Sequence, residues 1–325
     1  MTLITRRSFT LALGAAGVLA PAVVRGASPD LSKVTLRIGD QVGQHRSKLQ
    51  AAGLLADVPY KIEWSAYPAA VHLHEALKAE AIDIGAANDS PTVSAIAGGS
   101  KIAVVAAWGN GGKGTRLYVP KGSTARSVVD LKGKTISPTT RGSVAHFLVV
   151  GELRKAGLSE SDVKLAFLNP VDAGAAFAAG SIDAWATWGI YGARIRSTLG
   201  ARVLSDGEDV NSGLFVFSAT RSALQDPAKV AAIADYADRI ERSYRWSREK
   251  KADHIAWYKA YAKQDEGTAL AVYEDDVPYR RLKIDEDFAG RLKKTFDTWT
   301  SVGVLNGELD FRDYLYRDLA VGAGS

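Results

Sequence analysis

Residues 101–108, KIAVVAAW, form an almost wholly apolar run. A strand this apolar is covered on both faces, which is typical of a parallel sheet packed between helices. Strand patterns also precede it at residues 36–39, 60–64 and 82–87, with helical patterns between them. This alternation predicts an α/β fold with a doubly wound sheet.

The second part of the chain repeats the alternation and then becomes helical. Strand patterns occur at residues 135–137, 163–168, 182–186 and 202–204, and long helical patterns follow Ala219. A chain of this length can bury two cores. The sequence therefore predicts two α/β lobes, each a doubly wound sheet.

The order of the patterns predicts that the second lobe is inserted into the first. We assign residues 28–114 to the first part of lobe one and residues 115–218 to lobe two. Lobe two then includes both crossovers, at residues 115–120 outward and 213–218 on return. Residues 219–325 complete lobe one and add a helical C-terminal tail.

Paired arginines stand ahead of a modest apolar stretch at the N-terminus. Arg6 and Arg7 precede the Ala/Gly-rich residues 12–24, a pattern typical of a twin-arginine export signal. The stretch is too short for a stable transmembrane helix, although an anchor or a disordered tail is the alternative. A signal at residues 1–27 predicts a periplasmic protein and the twin-arginine export machinery as a partner.

Composition excludes several classes of site. The chain has no cysteine, which excludes disulfides, thiolate metal sites, a cysteine nucleophile and a lipoprotein anchor. Its formal charge of +5 falls to +2 without Arg6, Arg7 and Arg25 of the signal, and no dense basic tract argues for nucleic acid. We find no metal-ligand spacing, cofactor motif or catalytic constellation, so we expect a monomer without metal or cofactor.

Residues 141–146, RGSVAH, predict an oxyanion site. They lie between a short strand and a helix, and a helix N-terminus offers unpaired N–H groups and a positive dipole. Gly142 allows close approach to the backbone, Ser143 adds a hydroxyl, and Arg141 adds a planar guanidinium. The alternative is an ordinary capped helix with a solvated Arg141.

Two tryptophans follow predicted strands at the edge where a ligand would bind. Open α/β sheets bind ligands outside the carboxyl ends of their strands. Trp108 and Trp188 are therefore candidate walls for an organic tail, with a purely structural role as the alternative.

Short motifs occur in a fixed order between Leu36 and Thr220. They read LRIGDQ at 36–41, EALKAEAIDIG at 75–85, YVPKGS at 118–123, DLKGK at 130–134, GSVAH at 142–146 and AGAAFAAGSIDAW at 173–185. In this order they resemble the periplasmic substrate-binding proteins of ABC importers for nitrate, taurine and aliphatic sulfonates, most closely the aliphatic-sulfonate branch.

The resemblance implies a type II periplasmic-binding-protein fold, whose two lobes close on a small organic anion and deliver it to a membrane permease. It implies a binding protein for an organic sulfonate rather than an enzyme. Residue by residue, the resemblance implies ligand contacts at Gln41, Asn88, Asp89, Ser90, Gly142, Ser143, His146 and Trp188. Trp108 and Arg141 complete the set of ligand-binding candidates. For Asp89 a helix cap, and for His146 a supporting hydrogen bond to backbone, are alternative roles.

The chain departs from the family at three places. It reads NDSP at residues 88–91 and WGI at residues 188–190, and it carries Arg141 where relatives have a smaller residue or lysine. We interpret these changes as a shifted ligand preference, toward another sulfonate or an organosulfate. Nitrate, taurine or a thiamine precursor, an enzyme on the same fold, and a sensor component are the alternatives that stay open.

Overall fold

A computed structural model describes residues 29–319 of the chain. The expected twin-arginine signal at residues 1–27 lies outside this range. Within it, no helix has both the length and the apolar character needed to cross a membrane.

The first lobe is built on a six-stranded mixed sheet, ordered β11-β4-β10-β3-β1-β2. Strands β1, β2 and β3 run parallel, whereas β10 is antiparallel to both β3 and β4, and β11 is antiparallel to β4. The strand bounds are β1 Thr35–Gln41, β2 Lys61–Tyr67, β3 Ile84–Asn88, β4 Ile102–Gly109, β10 Leu214–Thr220 and β11 Arg280–Arg281.

The second lobe is built on a five-stranded mixed sheet, ordered β7-β6-β8-β5-β9. The strands β6, β7 and β8 are parallel, and β5 pairs antiparallel with β8 and β9. The strand bounds are β5 Thr115–Val119, β6 Thr135–Ser137, β7 Lys164–Leu165, β8 Ala184–Trp188 and β9 Arg202–Ser205.

Helices cover both sheets and form the C-terminal part of the described chain. Their bounds are α1 Gln44–Ala51, α2 Ala70–Lys78, α3 Asp89–Ala97, α4 Val144–Lys155, α5 Pro170–Ala178, α6 Gly189–Leu199, α7 Pro227–Glu249, α8 Lys251–Ala262, α9 Glu266–Asp276 and α10 Glu286–Ser301. Helix α9 packs against α8 and also against α6 of the second lobe. The tail therefore contacts both lobes.

Residues 102–108 of the apolar run lie in β4, in which every residue except Gly109 is buried. Its two faces belong to two separate apolar clusters, with Trp108 in one and Val104 in the other. Coverage on both faces is thus confirmed, but the expected parallel pairing is wrong. Strand β10 enters the sheet beside β4 on its return from the second lobe, and this return direction makes the pairing antiparallel.

Most of the predicted return crossover is a strand. Residues 214–218 were predicted to belong to lobe two, but they lie within β10 of the first sheet. The outward segment at 115–120 is likewise mostly β5 of the second sheet. The passages between the lobes are shorter, at about residues 110–114 and 206–213.

These two passages lie side by side and touch through their backbones. The backbone amide of Asn110 donates to the carbonyl of Gly213 at 3.0 Å. The side-chain Nδ2 of Asn211 approaches the carbonyl of Gly112 at 3.4 Å. Both Gly112 and Gly213 have positive φ, at 90° and 67°. A Cβ on Gly213 would lie 2.2 Å from the Gly112 nitrogen, so only glycine fits both the conformation and the space.

Candidate functional site

A cavity lies between the two sheets, where strand ends from both lobes meet. From the first lobe it is lined by the residues after β1, the end of β3, the start of β10 and one face of α9. From the second lobe it is lined by β5 and by the junction of β8 with α6. We call this space the interlobe cavity, and it lies where open α/β sheets bind ligands.

Three of the predicted residues line the interlobe cavity: Gln41, Asn88 and Trp188. Gln41 Nε2 donates to the Ala86 carbonyl at 2.9 Å, and Asn88 Nδ2 approaches the Leu214 carbonyl at 3.3 Å. Each amide group has a second N–H, so both side chains are anchored and still able to donate to a ligand.

Helix α6 presents one face to the cavity, through Gly189, Ala193 and Arg196. These residues are four and three apart, which places them on one side of a helix. Trp188 precedes the helix and provides no side-chain cap, and the first turn has no acidic residue. The N-terminal amides of α6 therefore offer donors and a positive dipole end to an anion in the cavity.

Arg196 is exposed and lines the cavity, and within residues 29–319 it forms no ion pair. The other lining cations are paired. Lys113 lies 3.1 Å from Glu208, and Arg116 lies 2.5 Å from Asp275. The cavity therefore carries one uncompensated guanidinium on its second-lobe side.

The carboxylates of α9 that line the cavity are both paired with cations. Asp275 receives both terminal nitrogens of Arg116, and this contact raises the pKa of the guanidinium above its usual value. Asp276 lies 3.5 Å from Nζ of Lys48, and burial lowers the pKa of the Lys48 ammonium group. Neither carboxylate is left to repel an anion at full strength.

Aromatic side chains line both sides of the cavity. The first lobe contributes His45, Phe215 and Tyr279, with Phe215 lying 5.6 Å from His45 and 6.0 Å from Tyr279 between ring centroids. The second lobe contributes Trp188 and Tyr191, in an edge-to-face pair at 6.1 Å. The Tyr191 hydroxyl also donates across the lobes to the Pro68 carbonyl at 2.8 Å.

Trp108 does not reach the cavity, contrary to the prediction. The side chain is fully buried under β10 and α7, and its Nε1 donates to Glu241 at 2.7 Å. Phe217 and Tyr244 pack against the ring. Its position on β4 directs it into the core of the first lobe because both faces of that strand are covered.

Asp89 and Ser90 lie outside the cavity lining and serve helix α3 and its neighbours. Asp89 is buried and accepts from Thr295 at 2.6 Å, and its burial raises its pKa. Ser90 Oγ lies 3.1 Å from the Gly142 carbonyl and accepts from Trp299. Both side chains are therefore engaged within the protein. The capping alternative for Asp89 is wrong, because Asp89 is the first residue of α3 and its carboxylate bonds to α10 instead of capping the helix.

The predicted oxyanion segment lies on another side of the lobe junction. Arg141, Gly142 and Ser143 line a shallow depression with α2 and α3. The Arg141 guanidinium lies 4.3 Å from the Phe167 ring centroid, and Ser143 Oγ caps α4 by accepting from the His146 amide. The capped-helix alternative describes this arrangement, and ligand binding by these residues stays a prediction.

His146 is fully buried at the start of α4. Its Nδ1 accepts from the Gly142 amide at 3.1 Å, which leaves Nε2 to donate to Glu160 at 2.8 Å. Burial lowers the pKa of the imidazole, although Glu160 opposes the shift. The ring therefore supports the loop in its neutral form, as the backbone-bonding alternative anticipated.

Comparison with known proteins identifies the family. The family described as "ABC transporter, phosphonate, periplasmic substrate-binding protein" matches residues 51–237. An Escherichia coli (strain K12) protein described as an aliphatic sulfonates-binding protein is 35% identical over 301 residues, covering 91% of this chain and 92% of the relative. The chain belongs to the periplasmic substrate-binding proteins of ABC transporters.

Solved structures agree with this family. The alkanesulfonate-binding protein SsuA from Xanthomonas axonopodis pv. citri, bound to MOPS, is similar with a TM-score of 0.77 and 28% identity. The match covers 90% of this substrate-binding protein and 100% of SsuA. The desulfurization enzyme DszB, at 13% identity and a TM-score of 0.60, shares the fold alone.

Several lining residues of this substrate-binding protein were not among the candidates predicted from the sequence. Tyr191 and Arg196 lie within α6, and Tyr279 lies between α9 and β11, where its sequence context gives no sign of a ligand. For Arg196 a signal existed, because its spacing from Gly189 and Ala193 marks a small-residue face on α6. Among residues 29–319, no cluster of three or more His, Asp or Glu could hold a metal.

Gly192 sets how closely α6 packs on strand β5 of this binding protein. A Cβ at this position would lie 2.6 Å from the Tyr118 hydroxyl, and the Tyr118 ring is buried. Replacing Gly192 with alanine should lower the free energy of unfolding by about 1–3 kcal/mol through overpacking. Chemical denaturation of the variant and of the unmodified protein measures this difference in the free energy of unfolding.

The matched control for that substitution is Gly290 on α10, where an added Cβ meets no atom within 4 Å. Gly290→Ala should stabilise the protein by about 0.5–1 kcal/mol, because alanine is the better helix former. Equal effects at the two sites would contradict a packing role for Gly192.

Proposed function

We propose that this substrate-binding protein carries an organic sulfonate to an ABC importer and does not itself catalyse a reaction. The observation that carries the proposal is the unpaired Arg196 on the same helix face as the uncapped N-terminus of α6, inside the interlobe cavity. The names of its relatives, which refer to aliphatic sulfonates and alkanesulfonates, support the same ligand class.

A sulfonate suits the polar groups of the cavity. It has three acceptor oxygens that share one negative charge, so it needs several donors rather than a second cation. The α6 amides and the second N–H groups of Gln41 and Asn88 provide donors, and Arg196 provides the charge. A phosphonate, which can carry two charges, would be less well matched by one unpaired guanidinium.

Closure of two lobes on the ligand is part of the proposal. The paired passages at residues 110–114 and 206–213 would act as the hinge, and cross-lobe contacts such as Tyr191 to Pro68 would hold the closed form. We also propose that residues 1–27 are a twin-arginine signal and that the exported receptor is a monomer.

The proposal is tested by titrating the mature protein with ethanesulfonate, nitrate and methylphosphonate in a calorimeter. A ligand of the right class also raises the melting temperature through mass action. We expect the sulfonate to bind with a dissociation constant well below those of the other two. Binding of nitrate alone, or of the phosphonate alone, would overturn the proposed ligand class.

Replacing Arg196 with glutamine should weaken sulfonate binding about 10- to 100-fold, because a charge-assisted hydrogen bond contributes about 1.5–3 kcal/mol. Arg194→Gln is the matched control: it lies on the same helix, is exposed and does not line the cavity. Calorimetry measures both variants. If the two substitutions have the same effect, Arg196 does not contact the anion.

A further inference from the structure

The aromatic side chains of the interlobe cavity form two groups on opposite lobes. The first-lobe group is His45, Phe215 and Tyr279, and the second-lobe group is Trp188 and Tyr191. Each of these five rings is partly exposed rather than buried, so each presents surface to the cavity. Two further lining aromatics, Tyr118 and Tyr244, are buried and lie behind these groups, whereas Trp108 is outside the lining.

Both groups are held in place by contacts within the protein. In the second-lobe group, Tyr191 donates from its hydroxyl to the Pro68 carbonyl and meets Trp188 edge-to-face at an interplanar angle of 88°. In the first-lobe group, Tyr279 packs 4.9 Å from Tyr244, and its carbonyl accepts from Arg248. Fixed rings define flat walls and lose little freedom when a ligand enters.

The two tyrosines of these groups are neutral and, like Phe215 and Trp188, present electron-rich ring faces. Burial raises the pKa of both Tyr191 and Tyr279 above the usual value for a phenol. The two lining carboxylates, Asp275 and Asp276, are paired with Arg116 and Lys48, so neither calls for a cationic group on the ligand. The cavity surface around these rings therefore suits a neutral ring or chain as the carbon part of the ligand.

The second-lobe group adjoins the proposed anion site directly. Trp188 immediately precedes α6 and Tyr191 is its third residue, so both stand beside the helix N-terminus that would hold the sulfonate. The carbon substituent of a sulfonate bound there would lie between Trp188 and Tyr191 on one side and Phe215 and Tyr279 on the other.

We infer that the ligand is an aromatic sulfonate, whose ring is held between the aromatic groups of the two lobes. This inference rests on the proposed function and narrows its ligand class. Aromatic pairs gain free energy from edge-to-face and offset contacts beyond the area that they bury, and a saturated ring of the same size gains only the area. The receptor therefore discriminates between a planar and a saturated ring.

The test compares three ligands by calorimetry: benzenesulfonate, cyclohexanesulfonate and methanesulfonate. The first two share the headgroup and the ring size, and the third has the headgroup alone. We expect benzenesulfonate to bind about tenfold more tightly than cyclohexanesulfonate, which corresponds to about 1.4 kcal/mol. Methanesulfonate should bind more weakly than either.

Two variants test whether the lining aromatic rings produce the preference for benzenesulfonate over cyclohexanesulfonate. Phe215→Leu keeps an apolar side chain but removes a ring, and it should lower the benzenesulfonate preference about threefold while cyclohexanesulfonate affinity stays nearly unchanged. Tyr279→Phe keeps the ring and serves as the matched control, with the preference retained. Circular dichroism and melting temperature establish that both variants fold.

The outcomes separate the inference from the proposed function. Equal affinities for the two cyclic sulfonates, or tighter binding of cyclohexanesulfonate, would overturn the aromatic inference and leave a sulfonate receptor. If none of the three sulfonates binds, the proposed function fails and the inference fails with it. Since the ligand comparison uses the unmodified protein, the result does not depend on either variant.

Discussion

Replacing Asp275 with asparagine should lower the free energy of unfolding by about 3 kcal/mol, since removing one partner of a buried ion pair leaves the other charge uncompensated. Asp275 accepts from both terminal nitrogens of Arg116, at 2.5 and 2.6 Å. The two side chains are 11% and 17% exposed. The pair joins α9 to β5, so the loss is expected to loosen the tail from the second lobe.

The size of this effect is checked by urea denaturation against an exposed pair. Lys293 and Asp297 on α10 lie 2.7 Å apart with side chains 57% and 53% exposed, and Asp297→Asn should change the free energy of unfolding by less than about 0.5 kcal/mol. The double variant Arg116→Met with Asp275→Leu should recover most of the stability. Equal losses for the two asparagine variants would refute the buried-pair assignment.

Stability should fall by about 5 kcal/mol between about pH 7.5 and pH 4.5, through two buried histidines. Burial lowers the pKa of His74 to about 4 and that of His254 to about 3, from an ordinary value of 6.5. The unfolded chain therefore binds more protons below pH 6.5 than the folded protein does. By linkage each histidine contributes about 2–3 kcal/mol of the loss.

The sign of this dependence is fixed by the direction of the shifts. A histidine with a lowered pKa stabilises the folded state only above pH 6.5, and the stability declines as the pH falls toward the folded value. The shift at His146 acts the same way. Asp89, whose pKa is raised by burial, opposes the loss at the acidic end.

Urea denaturation at three pH values measures the dependence. His74→Gln combined with His254→Gln should flatten the curve, since glutamine does not titrate. His72→Gln, at a partly exposed position on α2, is the control and should leave the slope unchanged. An unfolding free energy that is the same at pH 7.5 and 4.5 would contradict the neutral burial of both imidazoles.

Strand positions were predictable from the sequence to a greater degree than strand directions. The run at 101–108 is apolar at nearly every position, which indicates burial on both faces, and β4 is buried. Its antiparallel pairing depends on β10, which is more than 100 residues away in the chain. No local sequence pattern in β4 or β10 indicates that these two strands pair with each other.

The candidate site was predictable where a residue ends a strand at the sheet edge. Gln41, Asn88 and Trp188 end β1, β3 and β8 and line the cavity. Trp108, one residue before the end of β4, faces the core because its side of the strand is covered by α7. The contribution of α9 could not be predicted, since it depends on how the tail helices dock against α6.

The close contact between Gly112 and Gly213 has a consequence for how the protein tolerates mutation. Neither glycine lines the cavity, yet a methyl group at Gly213 would overlap the neighbouring passage. A genetic selection for failed uptake should therefore recover substitutions at these two positions as readily as at ligand contacts. Second-site suppressors would be rare there, because the obstructing atoms belong to the main chain and cannot be shortened.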